Sequence, residues 1–137
     1  MKTKEYIQDK LEGYKEIQQW RKRGKDFLIE INHHVPYLDN NDWNVYAYIY
    51  PDHNLFNNEK LGEDMFNAGG LPFHWGASYC KWHRNIKGDV TCKQYGSDYN
   101  HLGDDYGKVN RLKDMHGLIC DADRLFNYLT VENEKEL

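Results

Sequence analysis

Proline is scarce in this chain, cysteine scarcer in any useful pattern, and long apolar runs are missing. With 3 Pro in 137 residues there is no proline-rich linker to separate domains. No stretch approaches the roughly 20 apolar residues that a membrane span needs. The three cysteines, Cys80, Cys92 and Cys120, are odd in number and irregularly spaced, which argues against a disulfide framework. The opening Met1-Lys2-Thr3-Lys4-Glu5 has none of the apolar core of a secretion signal. A cytosolic chain with reduced thiols is therefore expected, with no membrane association. Positive charge is also not in excess. The net charge is −4, whereas a protein that grips nucleic acid through its phosphates usually carries surplus Lys and Arg, so direct nucleic-acid binding is not favoured.

Aromatic residues are what the chain has in quantity: 15% of positions, with 11 Tyr and 4 Trp. Charged residues make up 29%, which fits a wet globular surface. A chain this long makes one domain, residues 1–137, and buries roughly two-thirds of its unfolded surface, enough for a self-sufficient core.

The periodicities give an order of elements. Ile7, Leu11, Tyr14, Ile17 and Trp20 recur at steps of three and four, predicting an N-terminal helix over residues 1–24 with Gly24 as its stop. The basic run Arg21-Lys22-Arg23-Gly24-Lys25 then reads as the positive end of that helix, set against its dipole. Sheet and loops are expected over residues 26–107. Phe27 to Ile31 and Trp43 to Tyr50 read as strands, and Asp52 to Gly70 as a long surface excursion. Leu71 to Trp82 and Val90 to Tyr95 are expected to pair as a hairpin about Asn85 to Asp89. Val109, Leu112, Met115, Ile119, Ala122, Phe126 and Leu129 predict a C-terminal helix over residues 108–130. The fold class expected is α+β: an antiparallel sheet of four to five strands packed by both helices.

Chemistry concentrates in Gly96-Ser97-Asp98-Tyr99-Asn100-His101-Leu102-Gly103-Asp104-Asp105, directly after a predicted strand. Loops at strand ends are where a rigid scaffold presents reactive groups. Asp98, His101 and Asp104 follow at three-residue intervals, so one helical turn or a glycine-hinged loop points them to a common side. An imidazole oriented by a carboxylate suits acid–base chemistry, and His101 with Asp104 also makes a weak candidate pair for a divalent metal. The bland alternative is that these groups cap their own backbone. His74, in the predicted strand Leu71 to Trp82, is read either as a core histidine or as a fourth member of that cluster. Cys80-x-x-His83 with Cys92 and Cys120 has zinc-type donors at no standard spacing. The tyrosines and tryptophans serve as core filling or as an aromatic platform for a nucleobase or partner. His33 and His34 read as strand-end surface polarity.

His74-Trp75-Gly76-Ala77-Ser78-Tyr79 followed by Gly96-Ser97-Asp98-Tyr99-Asn100-His101-Leu102-Gly103-Asp104 resembles a family of small bacteriophage and prophage proteins. That family carries a His-Gly-Gly-x-Thr-Tyr strand and a Gly-Phe-Asp-x-Ala-His-x-Gly-Asp loop. The resemblance runs from Trp43 to Leu129 and departs at Trp75, where the family has Gly, and at Ser97, where it has Phe. It implies a phage-type accessory protein in the bacterial host cytoplasm and no particular activity. Binding is the first expectation: to a host defence protein or a nucleotide-like ligand, as in counter-defence, through Gly96, Asp98, Tyr99, His101, Gly103 and Asp104. The rival is a hydrolase with His101 as base, Asp98 as its orienter, His74 assisting and a metal at Asp104. The third reading is a structural or assembly component.

Overall fold

A computed structural model of the chain describes residues 19–37, 40–99 and 116–135. Among the described residues five strands are formed: β1 (Gln19–Gly24), β2 (Phe27–Tyr37), β3 (Asn40–Ile49), β4 (Tyr79–Arg84) and β5 (Val90–Asp98). One helix, α1 (His116–Glu134), follows. The strands lie in the order β1-β2-β3-β5-β4, and every neighbouring pair is antiparallel. The architecture is thus a five-stranded antiparallel sheet with a C-terminal helix on one face. No helix among the described residues is long and apolar enough to cross a membrane.

Strand alternation sorts the side chains onto two faces. Phe27, Ile29 and Ile31 of β2 meet Ile49, Ala47 and Val45 of β3, and all six are buried. Leu118, Ala122, Leu125 and Leu129 of α1 repeat at helical spacing and close over this face, joining the same core. The segment between β3 and β4 covers the rest. Phe56, Leu61, Leu71 and Phe73 add apolar cover, and Tyr95 Oη reaches across to donate to the Gly62 carbonyl at 2.6 Å. The expected surface excursion is present as a chain of turns, anchored by these buried side chains.

Four expectations need correction. The last residues of the predicted N-terminal helix form β1, paired with β2 from Gln19↔Asn32 to Gly24↔Phe27; the rest of that helix lies outside the described residues. The two-residue connection Lys25-Asp26, with Asp26 at φ +63°, turns the chain back sharply, so sheet pairing overrides the three-and-four spacing at Trp20. The basic run consequently does not cap a helix. Strand parity places Arg21 and Arg23 on one face, while Lys22 faces α1, 3.6 Å from Asp123 and over the Phe126 ring. His33 is not surface polarity. It is 1% exposed and lies flat against Trp43, ring centroids 4.1 Å apart. Finally, Leu71 to Ser78 is not strand, because its backbone closes turns (Gly76 N–H to the Phe73 carbonyl, 3.1 Å) before β4 begins at Tyr79.

The end of α1 is tied down. Asn54 Nδ2 donates to the carbonyls of Glu132, Asn133 and Lys135, satisfying acceptors that a helix C-terminus leaves open. His53 is a second anchor. Its Nδ1 accepts the Leu55 N–H at 3.0 Å, so its Nε2 carries the proton donated to the Leu129 carbonyl at 2.9 Å. Burial pushes the His53 pKa below its ordinary value, outweighing the Leu129 hydrogen bond and the nearby carboxylates of Asp26 and Glu132.

Candidate functional site

Gly96 and Ser97 belong to the strand rather than to a loop, since β5 runs on to Asp98. Gly96 is required there: a Cβ at this position would lie 2.4 Å from the Tyr46 ring. Asn100, His101, Leu102, Gly103, Asp104 and Asp105 lie outside the described residues. Of the candidate catalytic and binding residues, the structure therefore places four: His74, Gly96, Asp98 and Tyr99.

His74 and Tyr99 come together. Their rings stack at 4.5 Å with only 4° between planes. Tyr99 Oη donates to Asp121 Oδ2 at 2.6 Å, and His74 Nδ1 lies 4.0 Å from that same oxygen. Arg124 flanks Asp121 at 3.5 Å from its other oxygen. The backbone of His74 is fixed as well, because Ser97 Oγ donates to its carbonyl at 2.7 Å. Asp121, on α1, was missed by sequence reasoning; its only signal was a carboxylate on the inward side of a helix otherwise apolar there.

Asp98 does not join this group. Ser97 and Tyr99 point toward α1, and alternation sends the side chain of Asp98 to the opposite face, near Tyr46. His74 and Asp98 are separated by the sheet itself.

Trp75 follows His74 and is 69% exposed. Its φ is +60°, a left-handed conformation that L-residues with bulky side chains rarely adopt. Holding it there costs about 1 kcal/mol or more.

The thiols do not form the zinc-type cluster. Cys80 and His83 are three residues apart on one strand, so they face opposite sides of the sheet. Cys80 Sγ contacts the Gly62 carbonyl, and His83 Nε2 meets Gln94 Oε1 at 2.8 Å. Burial pushes the Cys92 thiol up to about 11 and raises Cys80 too, the opposite of what a ligand or nucleophile needs. Among the described residues, no three His, Cys, Asp or Glu side chains converge as a metal site requires.

The other face of the sheet lies away from α1. Tyr46 and Tyr48 of the central strand β3 point there by parity, with Tyr79 of β4 edge-on to Tyr46 at 5.4 Å. One hydrogen-bonded chain crosses all five strands. Arg21 Nε donates to Glu30 Oε2 at 2.8 Å, and Tyr48 Oη donates to Glu30 Oε1 at 3.2 Å. Gln94 Nε2 donates to Tyr48 Oη at 3.1 Å, which leaves Gln94 Oε1 to accept from His83. His83 Nε2 must then carry a proton, and each partner orients the next. Burial, followed by the Glu30 carboxylate, raises the Tyr48 pKa, so Tyr48 stays a neutral donor.

No protein-family profile, no curated protein and no solved structure matches this chain.

Proposed function

We propose that the chain is a phage-type accessory protein that acts by binding a host protein, with Trp75 as the anchor. The observation that carries this reading is a large aromatic side chain, mostly exposed, held at a backbone conformation suited to glycine. That conformation strains the backbone of any residue other than glycine. Exposed tryptophans on rigid supports are typical energetic centres of protein interfaces. The support is rigid here: the stack of His74 on Tyr99, the bond from Tyr99 to Asp121 and the hold of Ser97 on the His74 carbonyl. The phage family that the sequence resembles has glycine at this position, so this chain would have gained its anchor by replacing the residue the turn prefers.

The hydrolase alternative, built on His101, Asp98 and His74, is weakened because His74 and Asp98 lie on opposite faces. The test is capture from a bacterial lysate with immobilised wild-type protein and with Trp75→Gly, analysed side by side by mass spectrometry. A host protein retained by the wild type and lost in Trp75→Gly is the expected result. Identical captured sets from both proteins would remove Trp75 as the anchor.

A further inference from the structure

We infer that the cavity between the β1–β2 turn and the last turn of α1 is a binding site for a free α-amino acid, separate from the protein contact assigned to Trp75. The cavity measures about 300 Å³ and is lined by Lys25, Phe27, Thr130, Asn133 and Glu134, all of them described residues. Gln19, Asn32, Asn44 and Asp98 make one row across the sheet, and the chain arrives from residues 1–18 and leaves toward residues 100–115 at that end. The cavity lies at the other end, beside the row of Gly24, Phe27 and Ile49.

Its walls are held in place. Asn133 Nδ2 donates to the Lys25 carbonyl at 2.9 Å, and Asn133 Oδ1 accepts the Asn54 N–H at 3.0 Å, so the turn and the helix end are tied to each other. Buried Phe27 closes the floor. Thr130 Oγ1 donates to the Phe126 carbonyl at 2.8 Å, which leaves its lone pairs to accept. A site framed in this way asks little ordering of the protein when a ligand enters. A volume of this size stands at the small end of ligand sites, which run from roughly 300 to 1,000 Å³. It suits a single amino acid and is too small for a dinucleotide.

Charge selects the chemistry of the occupant. Nearby ions are paired: Lys22 with Asp123 at 3.6 Å and Lys135 with Glu132 at 2.5 Å. Lys25 and Glu134 line the same cavity, yet among the described residues neither forms an ion pair, with the other or with any third group. A cation and an anion that face one space without neutralising each other call for a ligand carrying both signs. In an α-amino acid the two charged groups flank one carbon, so the carboxylate meets Lys25 while the ammonium meets Glu134. The helix end favours the same orientation. Glu134 closes α1, where the dipole already places partial negative charge, and the last turn contains no basic residue. The Phe27 floor suits an aliphatic side chain.

The test is a proton–nitrogen NMR titration of the full chain with L-leucine, beside N-acetyl-L-leucine, which lacks the ammonium, and L-leucinamide, which lacks the carboxylate. L-leucine is expected to shift the amides of Lys25, Thr130, Asn133 and Glu134 saturably. Half-saturation should fall near about 1 mM, the scale for a ligand of about nine heavy atoms on exposed groups. Each analogue should bind about fivefold more weakly, the loss of one exposed ion pair. Lys25→Gln should weaken L-leucine by about the same factor and abolish the preference for L-leucine over L-leucinamide. Glu134→Gln should do likewise for the N-acetyl analogue. Both positions are exposed, so the variants keep the fold, which unchanged amide shifts elsewhere verify. No saturable shift with L-leucine, equal binding of either analogue, or full affinity and discrimination in both variants would overturn the assignment.

Discussion

His53 gives the most direct measure of how the helix is held to the sheet. It is 2% exposed, both ring nitrogens are committed to backbone partners, and its edge meets the Phe27 ring at 5.6 Å. A second proton would have to sit on Nδ1, facing the Leu55 N–H that it now accepts from. The native state therefore resists protonation, while the unfolded chain takes it up near the ordinary value of 6.5. Below that value the unfolded state binds more protons, so stability is complete above pH 6.5 and falls as the solution is acidified toward the lowered native pKa. Each pH unit inside that window costs up to about 1.4 kcal/mol. Between pH 7.5 and 5.5 the His53 contribution is thus about 1.4 kcal/mol at most, or roughly 5 °C in melting temperature for a domain of this size.

The assay is urea unfolding of wild type and His53→Gln at pH 7.5, 6.5 and 5.5. The variant should be less stable at pH 7.5 by about 1–3 kcal/mol, because the Leu55 N–H and the Leu129 carbonyl lose their shared partner. Its stability should also fall less on acidification than that of the wild type, the difference in slopes isolating His53 from the other histidines. Parallel pH profiles for the two proteins would refute the reasoning, whatever the absolute stabilities.

Gly96→Ala should destabilise by about 1–3 kcal/mol, because the new methyl meets the Tyr46 ring, and thermal melts should show the penalty shrinking in a Tyr46→Ala background. Asn54→Ala removes the bonds to the last carbonyls of α1; about 1–2 kcal/mol should be lost, and hydrogen exchange should accelerate first at the helix C-terminus. At Trp75, glycine relieves the left-handed strain that alanine keeps, so Trp75→Gly should be more stable than Trp75→Ala by about 1 kcal/mol in denaturant melts.

What could be read from the sequence was local. Alternation in Trp43 to Tyr50, the turn at Asn85 to Asp89 and the helical row ending in Phe126 and Leu129 each express a period that one element imposes on its own side chains. β3, the β4–β5 hairpin and α1 follow from them. Trp20 belongs equally well to a helical row and to an alternating strand. Only pairing with β2 chose the strand, because an antiparallel partner was there to satisfy its backbone groups.

The candidate site depended still more on tertiary structure. His74 and Asp98 sit in neighbouring motifs, but strand parity sends the Asp98 side chain away from the helix, while the turn and the Tyr99 stack bring His74 to Asp121, 47 positions along the chain by their numbering. Nor does composition reveal that three of the eleven tyrosines, Tyr46, Tyr48 and Tyr79, share one face of the sheet, or that a compact basic run is divided between two. The sequence determined which segments are periodic and which residues carry chemistry. The folded sheet decided which of those residues meet, since a side chain's neighbours across strands are set by register and face rather than by distance along the chain.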